Sequence, residues 1–161
     1  MNNRGVLLNL EVLSDPSFLC VVRGAIEPLT EIAGFSPPDC RAVTRAVDEA
    51  MANVIRHAYG NRPGEWIQVT CRLLESKVKG KRLKSLEIIL CDRGVRFDPK
   101  SVKERSLDEV KPGGLGLHFI RGSMDIMDHR RVGRKNRLRL VKYLRPEESK
   151  PEEPKQTSGG E

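Results

Sequence analysis

The sequence predicts an α+β domain, a two-layer sandwich in which a mixed or antiparallel sheet carries its helices on one face. Two observations support this fold class. Hydrophobic residues recur about every 3.6 residues between positions 14 and 59 and again after the glycines at 113, 114 and 116, whereas they alternate in segments 6–12, 67–73, 86–90 and 138–143. The second observation is their order: a strand, two helices, two strands, a helix and a final strand or pair.

Length and composition narrow the class of protein. A chain of 161 residues is long enough for one domain with a sizeable core, and 38% hydrophobic with 32% charged residues is typical of a soluble globular protein. No segment has the length of a membrane span and the start lacks a secretory pattern, so we expect a cytoplasmic protein. Distant spacing favours reduced, mostly buried thiols over a zinc site at Cys20, Cys40, Cys71 and Cys91.

The first half of the chain is predicted to form one strand and two helices. Ser14 is expected to cap the first helix, which ends near Gly34. Pro28 either kinks this helix or lies at a misjudged boundary. The second helix opens at "SPPDC", runs to about Tyr59 and is closed by Gly60. The strand that precedes both helices has one buried face, formed by Val6, Leu8, Leu10 and Val12.

The second half begins with an antiparallel hairpin whose strands flank a charged turn, "ESKVKGKR". A polar loop is expected over 98–113, and loops of that length in compact domains are usually functional or disordered. The apolar stripe of the third helix is expected to contain Leu117, Ile120, Met124 and Met127. A last strand contains Leu138, Leu140 and Tyr143. We place the domain at residues 1–144 and a disordered tail, which has no apolar anchor, at 145–161.

Polar residues lie beside the apolar face of the second helix, which is predicted to consist of Val43, Ala46, Val47, Ala50, Met51, Val54 and Ala58. At about 100° per residue, Glu49 and Asn53 share one edge of that face, whereas Asp48 lies on the opposite flank. A carboxylate beside an amide can supply a base and a metal-binding oxygen. The ordinary alternative is a surface ion pair of Glu49 with Arg45 or Arg56.

Two glycine motifs follow. In "LEIILCDRGVRFDP" an apolar strand stops at Asp92, and Gly94 comes two residues later. A carboxylate there can accept a hydrogen bond from an exocyclic amine, and the glycine lets a flat ring approach, which suits adenine. The alternative is an ordinary turn. In "KPGGLGLHFIRGSMD" glycines at a helix start can form an anion site, although neither a Walker A loop nor G-x-G-x-x-G is present. The alternative for this motif is a glycine-rich hinge.

In this order the motifs resemble the ATP-binding domain shared by gyrase-type topoisomerases, Hsp90, histidine kinases and MutL. "EAMANVIRHAY" is similar to its N box, "DRGVRFDP" to its first glycine box and "GGLGLHFIRGSMD" to its second. Within that superfamily the chain resembles the bacterial anti-sigma-factor serine kinases of the sporulation and general-stress type, over approximately residues 5–144. The resemblance implies a Bergerat-type ATP-binding fold.

The resemblance also implies residue roles. Glu49 would be the general base, Asn53 would coordinate Mg²⁺, and Asp92 would read the adenine amine. Residues 98–113 would form the ATP lid, in which we assign a phosphate contact to Lys111. The implied nucleotide-binding residues are Asn53, His57, Asp92, Gly94, Phe97, Lys111, Gly113, Gly114, Leu115, Gly116 and Leu117.

Two positions need separate comment. His57 lies nearer the apolar arc of its helix, which favours a half-buried packing role, yet it matches a histidine common after the N-box asparagine in this subgroup. Where the family often has Gly-Thr before the last strand, this chain has Asn136-Arg137. One auxiliary nucleotide contact is therefore not implied here.

The function implied by the resemblance is that of an anti-sigma factor that is also an ATP- and Mg²⁺-dependent serine kinase. Its partners would be a sigma factor, an anti-anti-sigma (STAS-type) protein as phosphorylation substrate, and a second copy in a homodimer. The main alternative is a nucleotide-gated partner-binding module without significant turnover. A detached histidine-kinase-like ATPase domain, and direct nucleic-acid binding by the basic stretch 129–142 that contributes to the net charge of +7, are less favoured.

Overall fold

The computed structural model describes residues 5–78, 80–96 and 115–145. Its helices are α1 (Leu19–Ile32), α2 (Pro37–Asn53) and α3 (Leu115–Ser123). A short 3₁₀ turn (Pro16–Phe18) precedes α1, and a π turn (Val54–Ala58) follows α2. Its strands are β1 (Val6–Leu13), β2 (Trp66–Val78), β3 (Lys81–Asp92), β4 (Ile126–Val132) and β5 (Lys135–Tyr143). None of the helices within these ranges is long and apolar enough to cross a membrane.

The five strands form one sheet in the order β1-β2-β3-β5-β4, and each neighbouring pair is antiparallel. Alternate residues of the central strands face the helices and are at most 1% exposed: Ile67, Val69, Cys71, Leu86, Ile88 and Leu90. A shift of pairing by one residue would turn these side chains away from the core, so burial fixes the register. The predicted α+β class is confirmed.

Helix α2 lies between α1 and α3 and packs against both. The Ser36 hydroxyl accepts a hydrogen bond from Asp39 N at 3.4 Å, and Pro37 occupies the first helical position. The start predicted at "SPPDC" is confirmed. Residues 43–58 of the α2 region contribute seven buried apolar side chains at the predicted positions: Val43, Ala46, Val47, Ala50, Met51, Val54 and Ala58.

The predicted helix cap at Ser14 is wrong. Ser14 Oγ donates to Arg62 O at 2.6 Å and accepts from Glu65 N at 3.1 Å, so it joins the end of β1 to the loop before β2. Asp15 caps the 3₁₀ turn instead, because its carboxylate accepts from Ser17 N at 2.8 Å. Ser14 had the residue type of a cap, but its hydroxyl is taken by a long-range contact.

The predicted end of the third helix is also wrong. Helix α3 stops at Ser123, and Met127 belongs to β4. Asp125 N donates to Val141 O at 2.9 Å, and the Asp125 carboxylate accepts from Tyr143 N at 2.8 Å. These bonds to β5 replace further helical bonds. Spacings of three residues across the junction imitated a helical stripe.

The charged turn predicted between β2 and β3 is shorter than expected. Both strands run through the segment "ESKVKGKR", and Val78 pairs with Lys81. Opposite charges at Glu75 and Arg82, 3.9 Å apart, lie across the hairpin. A solvated strand pair accommodates charged side chains as readily as a loop does, so composition did not mark the strand ends.

Candidate active site

The edge of α2 predicted to carry function is partly exposed. Glu49 and Asn53 are of intermediate burial, and they lie one turn apart near the end of the helix. Asp48 lies on the other flank, where its carboxylate accepts from Arg23 Nε of α1 at 2.6 Å. The two adjacent acids therefore have different surroundings, as predicted. Asp48 joins two helices, whereas Glu49 faces α3.

The first residue pair brought together by the fold is Glu49 and Gly116. A methyl group added at Gly116 would lie 2.0 Å from Glu49 Oε1. The carboxylate therefore packs directly on the backbone at the N-terminal end of α3. Any side chain at position 116 would occupy the space that this carboxylate fills. Two motifs 67 residues apart in sequence thus form one site.

A cation lies beside this pair. Arg56 NH2 is 3.2 Å from Glu49 Oε1 and 3.5 Å from Asn53 Oδ1, and Arg56 Nε donates to Ala52 O at 3.2 Å. The surface ion pair weighed as an alternative for Glu49 is therefore present in the structure, and the partner is Arg56. It coexists with the packing against Gly116.

A second cation holds α3 in position. The guanidinium of Arg45 on α2 lies 4.3 Å from the centre of the Phe119 ring on α3. This is cation–π geometry, and it adds to the burial of Ile120 in fixing α3 against α2. The face of α2 that carries Glu49 therefore also orients α3, the helix that Glu49 contacts.

The predicted packing role of His57 is wrong. Its side chain is exposed, whereas Ala58 and Tyr59 are buried. The cause is the π turn, in which Tyr59 N donates to Val54 O at 3.0 Å, five residues back. The wider turn changes the angular spacing on which the estimate for His57 depended. Its predicted nucleotide role stays a prediction.

Asp92 lies at the end of β3, 6% exposed, with its side chain fixed by two donors. Gly94 N and Asn136 Nδ2 donate to Asp92 Oδ1 at 2.9 and 2.7 Å. Burial raises the pKa of the Asp92 carboxyl, and the hydrogen bonds from Asn136 and Gly94 oppose that rise. The carboxylate is thus held in one orientation in a site that disfavours its charge.

Gly94 makes the close approach that the sequence predicted, but to protein. A methyl group there would lie 2.4 Å from Ala58 O, and the next residue, Val95, donates its N–H to the same oxygen at 2.8 Å. The turn after β3 is therefore packed directly on the π turn after α2. Clearance for a ring beside Gly94 stays a prediction.

Tyr59 provides a further brace at this end. Its hydroxyl accepts from Arg93 N at 2.9 Å and donates to Trp66 O at 2.8 Å. Burial is the largest cause of the raised pKa of the Tyr59 hydroxyl, so the group stays neutral and can act as both donor and acceptor. Tyr59 therefore links the backbone just after Asp92 to the start of β2.

Sequence reasoning missed Asn136. Beyond Asp92, its amide lies 3.0 Å from Val95 O and 3.4 Å from Gly94 O, and its Oδ1 accepts from Arg131 NH1 at 2.8 Å. Arg131 NH1 is also 3.2 Å from Gly94 O. The pairing of β4 with β5 sets Asn136 opposite Arg131, and the pairing of β3 with β5 sets it opposite Asp92. An asparagine before the last strand was the signal, but it was interpreted as a lost contact.

The other predicted residues divide between two groups. The whole predicted lid at 98–113, which includes Lys111 and Gly113, lies outside the described residues, as do Phe97, Gly114 and the tail from 146. Leu115 begins α3, and Leu117 is partly buried and packs against the core. Leu117 therefore helps to hold α3 against the core by packing.

The described residues offer one oxygen that fits a Mg²⁺ ion bound together with phosphate. They contain no group of three or more His, Cys, Asp or Glu side chains that could hold an ion. Mg²⁺ in phosphoryl-transfer sites commonly uses one or two protein oxygens and completes its shell with water and phosphate oxygens. Asn53 Oδ1, partly exposed beside a carboxylate, fits that requirement.

The four cysteines are free. Cys40 and Cys71 are buried, Cys91 is intermediate and Cys20 is exposed. Burial raises the pKa of the Cys71 thiol to about 12, so this thiol is unreactive at neutral pH.

Residues 13–142 match the family model described as the histidine kinase-like ATPase domain. The chain belongs to this family, and the family predicted from the three boxes is confirmed.

Similar curated proteins lie in the predicted branch. A serine-protein kinase RsbW from Bacillus pumilus is 28% identical over 133 residues, which cover 78% of this chain and 78% of that protein. RsbW from Staphylococcus aureus (strain JH9) is 25% identical over 159 residues, 92% of this chain and 93% of that protein. Among solved structures, a chain of the SiaB-SiaC complex from Pseudomonas aeruginosa aligns with a TM-score of 0.52 and 13% identity, covering 88% of this chain and 92% of that one. That likeness shows the fold alone.

Proposed function

We propose that this chain is an ATP-dependent serine protein kinase that also sequesters a sigma factor. Its phosphorylation substrate would be an anti-anti-sigma protein of the STAS type. The observation that carries the proposal is the contact of the Glu49 carboxylate with Gly116, which sets a potential base at the N-terminal end of a nine-residue helix. The resemblance to serine-protein kinases supports the choice of substrate class.

The phosphate end would work through Glu49 and α3. Free N–H groups and the helix dipole at the start of α3 favour negative charge, so phosphate oxygens would bind there. Glu49 Oε1 would accept the proton of the incoming serine hydroxyl as the serine oxygen attacks the terminal phosphorus of ATP. The bond from that phosphorus to the bridging oxygen would break, and ADP would leave. Asn53 Oδ1 would hold Mg²⁺, which would neutralise negative charge on the phosphates.

The base end would work through Asp92. Its Oδ1 accepts hydrogen bonds from Gly94 N and Asn136 Nδ2, and these bonds fix the orientation of the carboxylate. The exocyclic amine of adenine is a donor that a carboxylate accepts, whereas guanine presents a carbonyl oxygen at the equivalent place. The site would therefore favour ATP over GTP.

The basic stretch 129–142 gives little support to nucleic-acid binding. It forms most of the β4–β5 hairpin, and several of its arginines make contacts within the protein. Arg130 pairs with Asp128 at 2.8 Å, Arg131 with Asn136, and Arg139 with Glu87 at 2.5 Å. These arginines therefore already contact acidic or polar groups of the protein itself.

We expect the protein to act in the cytoplasm as a homodimer.

The test is phosphoryl transfer measured by mass spectrometry of a STAS-type partner after incubation with Mg²⁺ and ATP. We expect Glu49→Gln to bind ATP but to transfer phosphate roughly 100-fold or more slowly, the range of a lost general base. Asp48→Asn is the matched control, because it removes the neighbouring carboxylate on the other flank. Equal transfer by Glu49→Gln and the unaltered protein would contradict the role of Glu49.

A nucleotide-gated binding module is the second candidate, favoured by one observation. Arg56 is paired with the same Glu49 oxygen that would have to accept a proton. If that pair persists with ATP bound, the protein would bind partners without turnover. Absence of phosphate on the partner, together with ATP-dependent partner binding, would identify this function.

A further inference from the structure

Arg131, Asn136 and Asp92 form a row across three neighbouring strands. Arg131 on β4 pairs with Asn136 on β5, and Asn136 pairs with Asp92 on β3. Residues that are directly paired in a sheet point to the same face, so these three side chains meet on one face. The row therefore contains a guanidinium, an amide and a carboxylate, in this order.

The amide of Asn136 has one orientation that satisfies all of these neighbours. On its Nδ2 side lie three oxygens that only accept: Asp92 Oδ1 at 2.7 Å, Val95 O at 3.0 Å and Gly94 O at 3.4 Å. On its Oδ1 side lies Arg131 NH1 at 2.8 Å, and a guanidinium only donates. Asn136 is 1% exposed, so a rotation of the amide by half a turn would leave buried groups without partners.

Arg131 is an exposed residue that reaches two buried groups. Its NH1 donates to Asn136 Oδ1 at 2.8 Å and to Gly94 O at 3.2 Å, and both of these residues are buried. A water molecule in place of the guanidinium could donate or accept, so it would not specify the orientation of the amide. The arginine specifies it, because it has no acceptor.

The orientation of this amide decides what Asp92 offers to a ligand. With Nδ2 toward it, the carboxylate is stabilised in its charged form and accepts hydrogen bonds. With Oδ1 toward it, two acceptors would face each other, and Asp92 would have to bind a proton. Burial already raises the pKa of this carboxyl, and the bond from Asn136 opposes the rise. A charged carboxylate accepts from the adenine amine, whereas a protonated carboxyl can donate to the guanine carbonyl.

We propose that Arg131 is a positioning residue that acts through Asn136 and makes the site selective for an adenine base. This inference rests on the proposed function, because it takes Asp92 as the group that binds the exocyclic amine. Arg131 acts from the far side of the amide, without touching the base.

The test measures the dissociation constants of Mg-ATP and Mg-GTP by calorimetry for the unaltered protein and for Arg131→Met. Methionine has a long side chain but no donor. We expect ATP binding to weaken roughly three- to tenfold, the range of one hydrogen bond, and GTP binding not to weaken. A residue that only stabilises the fold or attracts phosphate would affect both nucleotides alike. An equal loss for ATP and GTP therefore overturns the inference.

A double-substitution cycle tests whether Arg131 acts through Asn136. In the Asn136→Ala background, Arg131→Met should change ATP binding by less than about twofold, because no amide is left to orient. The same loss in both backgrounds would mean that Arg131 acts independently of Asn136, which overturns the inference.

Arg134→Met is the matched control, since it removes an equal charge from the exposed turn between β4 and β5. We expect its affinities for both nucleotides to equal those of the unaltered protein. If Arg134→Met weakened ATP binding as much as Arg131→Met does, net charge would be responsible and the role of Arg131 would be wrong.

Two further outcomes separate the proposals. If the unaltered protein prefers ATP and Arg131→Met keeps that preference, this inference is overturned while the proposed function stands. If the unaltered protein binds neither nucleotide, or binds both equally, the proposed function fails and this inference fails with it.

Discussion

The two ends of the candidate site are built differently. At the base end, the Asp92 carboxylate is 6% exposed and is fixed by a backbone N–H and the Asn136 amide. At the phosphate end, the Glu49 carboxylate is 34% exposed and is held by one flexible arginine. A carboxylate that selects a base needs one orientation, whereas a carboxylate that takes up a proton has to change partners during a reaction.

The close contacts at the two glycines differ in the same way. The atom nearest to a methyl group at Gly94 would be the backbone oxygen of Ala58, and at Gly116 it would be the side-chain oxygen of Glu49. Backbone in a packed turn cannot move aside, but the end of a glutamate can. The contact at Gly94 therefore belongs to the packing of the domain, whereas we expect the contact at Gly116 to matter mainly for the proposed chemistry.

The largest expected effects come from substituting these two glycines. Gly94→Ala should destabilise the fold by about 3 kcal/mol, the upper range for overpacking, because the methyl group meets backbone at 2.4 Å. Gly116→Ala should change the free energy of unfolding by less than about 1 kcal/mol, since alanine favours a helix by about that amount. Phosphoryl transfer by Gly116→Ala should fall about 100-fold, because Glu49 is displaced.

Chemical denaturation and phosphoryl transfer measure these two effects separately. Gly122→Ala is the matched control in α3, since a methyl group there would have no atom within 4 Å. The comparison between the two ends would be wrong if Gly116→Ala unfolded the protein while Gly94→Ala left its stability unchanged.

An intermediate effect is expected for Asn136→Ala. Asp92 Oδ1 and Val95 O would each lose the hydrogen bond that Asn136 Nδ2 donates, and Arg131 NH1 would lose its acceptor. A buried polar group without a partner lowers the free energy of unfolding by about 1–3 kcal/mol. With the carboxylate no longer held, we expect ATP affinity to fall about tenfold, which corresponds to about 1.4 kcal/mol. Calorimetry on this variant and on Arg134→Ala, at the exposed β4–β5 turn, would test this; equal affinity in both would contradict it.

The smallest expected effect is a pH dependence of stability at Asp92. Its pKa is raised by burial, so the folded protein binds this proton more tightly than the unfolded chain does. The stability contributed by Asp92 therefore falls as the pH rises from about 4, the ordinary value, to the raised pKa. We expect the Tm of Asp92→Asn minus that of the unaltered protein to increase over this interval. A difference that is constant or decreases with pH would contradict the raised pKa.

The sequence predicted the fold class, the core face of α2 and the start of that helix because burial imposes a clear period on each. It could not predict the end of α3, since Met124 and Met127 fit a helix but lie on either side of a junction set by bonds from Asp125 to β5. Ser14 shows the same limit. Local patterns do not reveal a side chain whose partner is 48 residues away.

For the site, the sequence identified Glu49, Asp92 and the two glycines as candidates, but not what connects them. Asn136 holds Asp92 only because β5 pairs with β3, and that pairing is not readable from local spacing. The exposure of His57 depends on a π turn, which changes the angular spacing without any change in hydrophobic pattern.

The central claim is that the two ends form one site for an adenine nucleotide, with Asp92 reading the base. The most direct test is equilibrium binding of Mg-ATP and Mg-GTP to the unaltered protein and to Asp92→Asn. We predict that the unaltered protein binds ATP at least about tenfold more tightly than GTP, the worth of one well-placed buried hydrogen bond, and that the variant loses this preference. Equal affinity for both nucleotides, or a preference that survives in Asp92→Asn, would contradict the claim.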